Sequence, residues 1–531
     1  MRFTLLRRTV LASAAIGIAG CATAPSQPDL GTQLKQAFVS EDPCSNNARN
    51  IGIVGGAVMG ALLGNAMGGK NDSRVIGAAM GGVVGGLIGA DMDRKRCELS
   101  KVAKKYDLDI TFANIESQGE VKPVMTEAKT EQPTAPSHSG TETVIGNTVT
   151  VRDKDGEAGH FKSGSDQLTS RAQEYFAAIA AQYAPETVLA TETNPKRKEE
   201  TRKQLAQRHI LLVGHTDDTG ASQLNASLSE RRARAVAAFL KQKGVPEASI
   251  YYQGAGETLP ISDNRTDAGR AANRRVEIIE VVNETGFKKY LEIRKPQYAF
   301  YRSQSPTAIA ERAPNTAVVS TSPVASTTPS QITKIPPPNA APIINFGGAP
   351  YSPNTAKIDT GSLLHEKGFS FVSKAQAADD DILVADCSYD RPRASGTVKS
   401  LHDGSSYKTS DHLPQLYGKT WASDVNGNLV IINHLAVLRG SGVPANLPEL
   451  KVYAQYKPGT NKKPDVSEEP AVNSYLVDKG VLYRMFPRGD GGLKCMDLLF
   501  GTDGATTAKA GKLIYASGRN RYVADLKPQL Q

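Results

Sequence analysis

The chain of 531 residues carries 63 Lys and Arg against 54 Asp and Glu, a formal net charge of +9, and its length suggests about three or four folded units. A mean hydropathy of −0.35 with few long apolar runs excludes a polytopic membrane protein. Helix and strand periodicity in several segments excludes wholesale disorder, and the positive balance, spread over this length, favours anionic neighbours only weakly.

Residues 1–20 open with Met1-Arg2-Phe3-Thr4-Leu5-Leu6-Arg7-Arg8, followed by a short apolar run from Thr9 to Gly20 and then Cys21. A basic start, a short apolar core and small residues before the cleavage point predict a secretory signal. The run is too short to span a bilayer. Ile18-Ala19-Gly20-Cys21 resembles the bacterial lipobox, which implies cleavage before Cys21 and acylation of its thiol and new amino group. Each buried methylene contributes about 0.8 kcal/mol, so several acyl chains anchor firmly where one does not. Ala22 follows the cysteine. Asp there retains a lipoprotein at the inner membrane in the enterobacterial sorting rule, so by that resemblance Ala22 points to the outer membrane.

The cysteines are Cys21, Cys44, Cys97, Cys387 and Cys495. With Cys21 lipidated, the others sit in a compartment where disulfides persist. Four cysteines allow three pairings. The local one, Cys44–Cys97 and Cys387–Cys495, keeps each bridge within one segment and is preferred.

Residues 21–50 read as a polar tether. Residues 51–90 hold 13 of the 48 glycines, among Ala, Val, Ile, Leu and Met. Gly56, Gly60, Gly64 and Gly68 recur every fourth residue, and after Lys70-Asn71-Asp72-Ser73 so do Gly77, Gly81, Gly85 and Gly89. On a helix that spacing places the glycines in one stripe, where two backbones can approach closely. Scattered glycines would cost a soluble helix about 1 kcal/mol each, so the repeat needs a packing reason. Residues 51–106 are therefore expected to form a helical hairpin with facing glycine stripes, a turn at the polar tetrapeptide, and a second helix continued by residues 91–106. The segment resembles the glycine zipper of many bacterial envelope lipoproteins. Each arm, about 27 Å long as a helix, matches the hydrocarbon thickness. Glycine adds little hydrophobicity, so a membrane hairpin and a water-soluble, self-associating hairpin both remain open. A Cys44–Cys97 bridge would close its open end.

Residues 107–145, rich in Glu, Thr, Pro and Ser, read as a linker. From 146 to 284 the pattern becomes globular. Asn147 to Arg152 alternates as a strand does, and Leu168, Ala172, Tyr175, Phe176, Ile179 and Tyr183 fall on one helix face. His209 to Val213 is a buried-type strand, Asn225 to Lys243 a helix stopped by Gly244, and Ser249–Gln253 and Arg275–Val281 are further strands. The order β-α-β-α-β-β predicts an α/β sandwich on a mixed sheet.

One residue of the second helix stands out. Leu228, Arg232, Val236 and Leu240 recur every fourth residue, so Arg232 interrupts an apolar stripe, and a guanidinium is not desolvated cheaply without an anion. Asp217 or Asp218, in the loop after the strand at 209–213, is the natural partner. A fixed carboxylate beside a fixed guanidinium is complementary to a zwitterion, and a plain structural ion pair is the competing reading.

Gly214-His215-Thr216-Asp217-Asp218-Thr219-Gly220 is followed by Asn225-Ala226-Ser227-Leu228-Ser229-Glu230-Arg231-Arg232-Ala233, then Gly254-Ala255-Gly256-Glu257, then Gly269-Arg270-Ala271-Ala272-Asn273-Arg274-Arg275-Val276-Glu277-Ile278. In that order and spacing these motifs resemble the OmpA-like peptidoglycan-binding domain. The resemblance implies binding of the diaminopimelate of the peptidoglycan stem peptide, with Asp217 taking its ammonium and Arg232 its carboxylate. It implies backbone groups from Thr219 and Gly220, a hydrogen bond from Asn225, and Arg274 and Phe161 lining the pocket. The chain departs from the pattern at Pro185 to Arg208, a charged connection longer than usual.

His215, Asp217 and Asp218 as metal ligands would be three near-adjacent residues of one loop, which rarely close a site, so no metal or other cofactor is expected. A basic helix behind a secretion signal argues against nucleic acid. No activated nucleophile or acid/base pair is legible, so neither a catalytic residue nor an enzyme is expected.

Residues 285–359, with 10 of the 30 prolines between 303 and 353, read as a semi-extended spacer. In 360–531, Asn426-Gly427 between two strand-like runs is a hairpin signal, and Leu450–Tyr456, Val481–Phe486, Lys512–Ser517 and Tyr522–Leu526 read as strands. This β-rich domain carries dispersed histidines, and Ser410-Asp411-His412 is contiguous, which is not how a triad is built. The expectation is thus an outer-membrane lipoprotein tied to peptidoglycan from the periplasmic side. The alternative is an envelope enzyme or a secretion or assembly component localised by residues 146–284, with its activity or partner binding in 360–531.

Overall fold

A computed structural model of the chain describes residues 44, 71–116, 121–123, 144–153, 159–162, 164–294, 296, 298–302, 343–364, 385–407, 412–444 and 446–531. Cys21, the first glycine arm and Ser410-Asp411 lie outside the described residues. Among the described residues, a seven-stranded mixed sheet is followed by two antiparallel sheets of five and six strands.

Helix α1 runs unbroken from Asn71 to Tyr106. The expected turn at residues 70–73 is therefore corrected, because Asn71, Asp72 and Ser73 already belong to the helix. Asn, Asp and Ser suit the start of a helix as well as a turn, so composition does not separate the two. The carboxyl-terminal part of α1 packs on the sheet. Leu99 and Val102 enter its core, and the buried Lys95 ammonium meets Glu280 at 2.6 Å. Cys44 is bridged to Cys97 of this helix. No helix among the described residues is long and apolar enough to cross a membrane.

Strands β1 (Leu108–Glu116), β2 (Val121–Pro123), β3 (Val144–Asp153), β4 (His209–His215), β5 (Ile250–Gly256), β6 (Val276–Val281) and β8 (Lys399–Ser400) lie in the order β2-β1-β3-β6-β4-β5-β8. β4 and β5 are parallel and the other pairs antiparallel. Residues 107–145 are thus not wholly a linker. Leu108, Ile110 and Phe112 alternate onto the core face of β1, a period-2 signal that the polar composition downstream obscures.

Helices α2 (Ser170–Ala181) and α5 (Ser222–Gln242) cover one face. Ile210 and Leu212 point toward them, while Leu211 and Val213 point to the other face, as strand alternation requires. There they meet Phe287, Tyr290 and Leu291 of α7 (Glu284–Ile293) and Val398. Residues 284–293 therefore cap the sheet and do not open a spacer. The long connection before β4 forms two helices, α3 (Pro185–Ala190) and α4 (Pro195–Gln207). Each starts with Pro in its first turn, where the missing N–H costs nothing.

The carboxyl-terminal unit packs two sheets face to face, β12-β11-β10-β9-β18 and β13-β14-β15-β16-β17-β7. Here β9 is Trp421–Val425, β10 Asn428–Asn433, β11 Glu449–Tyr453, β12 Val466–Glu468, β13 Ala471–Val477, β14 Gly480–Phe486, β15 Leu493–Phe500, β16 Ala510–Ser517, β17 Asn520–Asp525, β18 Gln529–Leu530 and β7 Ala349–Pro350. Trp421, Val430 and Ile432 of one sheet share a core with Tyr483, Met496 and Leu513 of the other. The Asn426-Gly427 hairpin forms, with both residues at positive φ (54° and 74°). This unit begins before residue 360. Ile344 and Phe346 lie in its core, and Ala349 and Pro350 add an edge strand. Cys387 is bridged to Cys495 of β15.

Candidate functional site

The site grows from the close approach of α5 to β4 and β5. A Cβ on Gly214 would lie 2.3 Å from the Ser229 carbonyl oxygen, and one on Gly254 would lie 2.3 Å from the Glu230 nitrogen. These two glycines let the helix run directly over the strands. Ser229, on the buried side of α5, accepts a hydrogen bond from Gly256 N at 2.9 Å. The loop from β4 to α5 is thereby fixed above the sheet, its start tied by Thr216 N donating to Gly256 O at 2.9 Å.

Asp217 is buried to 7% exposure. Its Oδ2 accepts from Arg274 Nη1 at 2.7 Å, while Oδ1 accepts from Thr219 N at 3.0 Å and from the Thr219 hydroxyl. Burial pushes the Asp217 carboxyl up, but the hydrogen bonds from Thr219 and Arg274 outweigh it and hold the group below its ordinary value. Asn225 donates to Thr219 O at 2.9 Å and to Glu257 Oε2 at 2.9 Å, closing the loop from the helix side. Gly220 turns the chain at φ +85°, in open space.

Arg232 lies at the edge of the buried stripe of α5, which is made of Ser222, Ala226, Ser229, Ala233, Val236, Ala237 and Leu240. Its Nε donates to Ser165 O at 3.0 Å, and its guanidinium lies 5.0 Å from the centre of the Phe161 ring, within cation–π range. The expected ion pair with Asp217 or Asp218 is not made. Arg274 takes Asp217, and Arg302 takes Asp218 through a fork at 2.8 and 3.0 Å. Arg232 is nevertheless close enough for Asp217 and Arg274 to act on its charge. Burial, then the neighbouring Arg231, depress its pKa from the ordinary guanidinium value.

Phe161, Asp217, Thr219, Gly220, Asn225, Arg232 and Arg274 are therefore brought to one end of the sheet. Asn273 fixes Arg274 from behind. It is fully buried, and its Oδ1 accepts from Ile261 N at 2.9 Å and Ser262 N at 3.1 Å. Sequence reasoning assigned no role to Asn273, Glu257, Arg302 or Arg391. Glu257 and Asn273 fall inside quoted motifs, so position alone could have raised them. Arg391 reaches Gly220 O at 3.2 Å from 171 residues away, and nothing local announces that contact. No group of His, Cys, Asp and Glu suited to a metal ion occurs among the described residues.

Chemically, the end of the sheet offers an ionised carboxylate held by its own donors and a guanidinium with no ion pair among the described residues, the two not consumed by each other. Two such poles can complement a ligand that bears both charges.

Residues 160–274 match the OmpA family and residues 1–93 the YMGG-like Gly-zipper family. The chain carries an OmpA family domain behind a YMGG-like Gly-zipper segment. It is 50% identical over 70 residues to "Outer-membrane lipoprotein YfiB" of Pseudomonas aeruginosa, covering 13% of this chain and 42% of that protein. It is 44% identical over 70 residues to "Peptidoglycan-binding protein ArfA" of Mycobacterium bovis, covering 13% of this chain and 22% of that protein. Each match thus spans less than half of the relative's length. A similar solved structure is the cell wall anchor of the T6SS from Pseudomonas aeruginosa, 28% identical, with a TM-score of 0.20 over 27% of this chain and 85% of that one.

Proposed function

We propose that this protein binds peptidoglycan through the end of the sheet between Asp217 and Arg232, and that acylated Cys21 ties the same chain to outer-membrane lipid. The ligand is the diaminopimelate residue of the stem peptide, whose side chain ends in an ammonium beside a carboxylate. The observation that carries this reading is the separation of charges. Asp217 is paired with Arg274 through Oδ2, and Arg232 rests on Ser165 O and the Phe161 ring, so both poles are held in place without neutralising each other. A preorganised pair of opposite charges spends little ordering entropy on binding. The names borne by the relatives, an outer-membrane lipoprotein and a peptidoglycan-binding protein, support the same compartment and polymer. In this reading the chain acts as a tether and carries out no catalysis.

The test is co-sedimentation of the full chain with purified sacculi. Asp217→Ala and Arg232→Ala should each move the protein from the pellet to the supernatant, because each leaves one charge of the ligand without a partner. Sedimentation of both variants at the wild-type level would overturn the assignment of the site.

A further inference from the structure

We propose that Arg391 is a positioning residue for the ligand loop, delivered by the carboxyl-terminal unit, and that with Arg302 it keeps Asp218 and Glu257 from competing with Asp217. This inference deepens the peptidoglycan reading of the site and rests on it.

The loop carries an electrostatic problem that the OmpA-like segment does not solve alone. Asp217 and Asp218 are adjacent, and the Glu257 carboxyl is pushed up, chiefly by its burial and in smaller part by the Asp218 charge. Asp218 and Glu257 are 5% and 3% exposed. Carboxylates desolvated together repel one another and repel the carboxylate of any ligand. The cations that answer them come from outside residues 146–284. Arg302 grips both oxygens of Asp218. Arg391 Nη2 lies 3.3 Å from Glu257 Oε1 and donates to Gly220 O at 3.2 Å, and its Nη1 lies 3.7 Å from Asp218 Oδ2. One guanidinium thus touches both spare carboxylates and the turn that follows Thr219. Asp217 is gripped by Arg274 and Thr219 instead.

Arg391 is itself well anchored. Just after it, Ala394 N donates to Ser222 Oγ at 2.7 Å and Gly396 N to Gly254 O at 2.8 Å. The chain then adds β8 to the edge of β5, with Ser400 opposite Tyr251, and Lys399 meets Glu230 at 2.6 Å. Just before it, Asp390 is fixed in the carboxyl-terminal unit by Tyr475 and Asn473, and Cys387 is bridged to Cys495. The segment is a strap from the β-rich unit across the sheet edge to the ligand loop, and its placement makes the affinity of the site depend on that unit.

The experiment measures binding of a diaminopimelate-ended peptide to the full chain by calorimetry. Arg391→Ala should weaken binding about tenfold, within the usual range of coupling between linked sites. Arg391→Lys should retain part of it. Adding Glu257→Gln to Arg391→Ala should restore affinity toward wild type, since it removes the charge Arg391 answers while leaving an oxygen for Asn225. Lys512→Ala, which cuts an ion pair with Asp525 away from the strap and the loop, should bind normally. Thermal unfolding of each variant establishes that it is folded. Wild-type affinity in a folded Arg391→Ala would overturn the proposal, and so would a loss that Glu257→Gln does not relieve. Asp217→Ala keeps the two claims apart. If it binds normally, the site reading fails. If it does not bind while Arg391→Ala does, only the positioning role fails.

Discussion

Asp217 is paired with Arg274, at 2.7 Å, and not with Arg232, the residue its sequence pattern points to. The Arg274 side chain is 45% exposed, so this ion pair contributes little to stability. Its consequence is electrostatic. Together with Thr219 it keeps the Asp217 carboxyl ionised below its ordinary value of 3.8, against the opposing push of burial.

That arrangement fixes the sign of the pH dependence. A carboxyl whose pKa is depressed keeps its charge above the ordinary value and loses it as pH falls through the lowered one. Capture of a ligand ammonium should therefore persist from neutral pH into acid and be lost only as pH falls through a value below the ordinary 3.8. Arg274→Ala removes one of the groups that hold the value down, so its acid limb should move to higher pH. Calorimetric titrations of both proteins with a diaminopimelate-ended peptide check this, and coincident pH profiles would contradict it.

Gly254 is a second point of leverage. Its Cβ would meet the Glu230 nitrogen at 2.3 Å and the Ala226 carbonyl oxygen at 2.5 Å, both backbone atoms. Neither can swing aside, so Gly254→Ala must lift α5 off β5. Overpacking of this kind costs about 1–3 kcal/mol, and Asn225 and Arg232 ride on the displaced helix. Urea unfolding should show a midpoint shift of that size, with weaker binding alongside. An unchanged midpoint would mean that the helix does not depend on the close approach.

In the carboxyl-terminal unit, Asp390 is fully buried and accepts from Arg393 at 2.7 Å, Tyr475 at 2.6 Å and Asn473 at 2.9 Å. Burial alone would raise its pKa, but Arg393 and Arg484 hold it at about 2. The stability it confers is thus present above its ordinary 3.8 and lost as pH falls through about 2. Asp390→Asn keeps the shape but strands buried guanidinium charge, a loss of about 3–5 kcal/mol. Chemical denaturation at neutral pH measures it, and a loss under about 1 kcal/mol would show the network to be dispensable.

Much of the OmpA-like fold is legible in the sequence because its signals are local. The helix face with Ala172, Tyr175, Phe176 and Ile179, and the buried run of β4, follow from periodicity and are found where it places them. The edges are less legible. Strand β1 lies beside Glu-, Thr- and Pro-rich chain, and its place is decided by pairing with β3 through Ile110↔Val151 and Phe112↔Val149. The partner of Arg232 is not legible at all. Spacing on a helix tells which side chains share a face, whereas the choice between Asp217 and Ser165 O depends on where Arg274, after α6 (Asp267–Asn273), and the loop before α2 arrive in space. Arg391 is the extreme case, since its contacts with Gly220 and Glu257 cross 171 and 134 residues.

The central claim is that Asp217 and Arg232 read two opposite charges on one ligand side chain. The most direct measurement compares two peptides by calorimetry with the full chain, one ending in diaminopimelate and one in lysine, which keeps the side-chain ammonium and lacks the carboxylate. A charge-assisted hydrogen bond is worth about 1.5–3 kcal/mol, so the lysine peptide should bind roughly 10- to 100-fold more weakly. Arg232→Ala should erase that difference by weakening only the diaminopimelate peptide. Equal affinities of the wild-type protein for the two peptides would contradict the account.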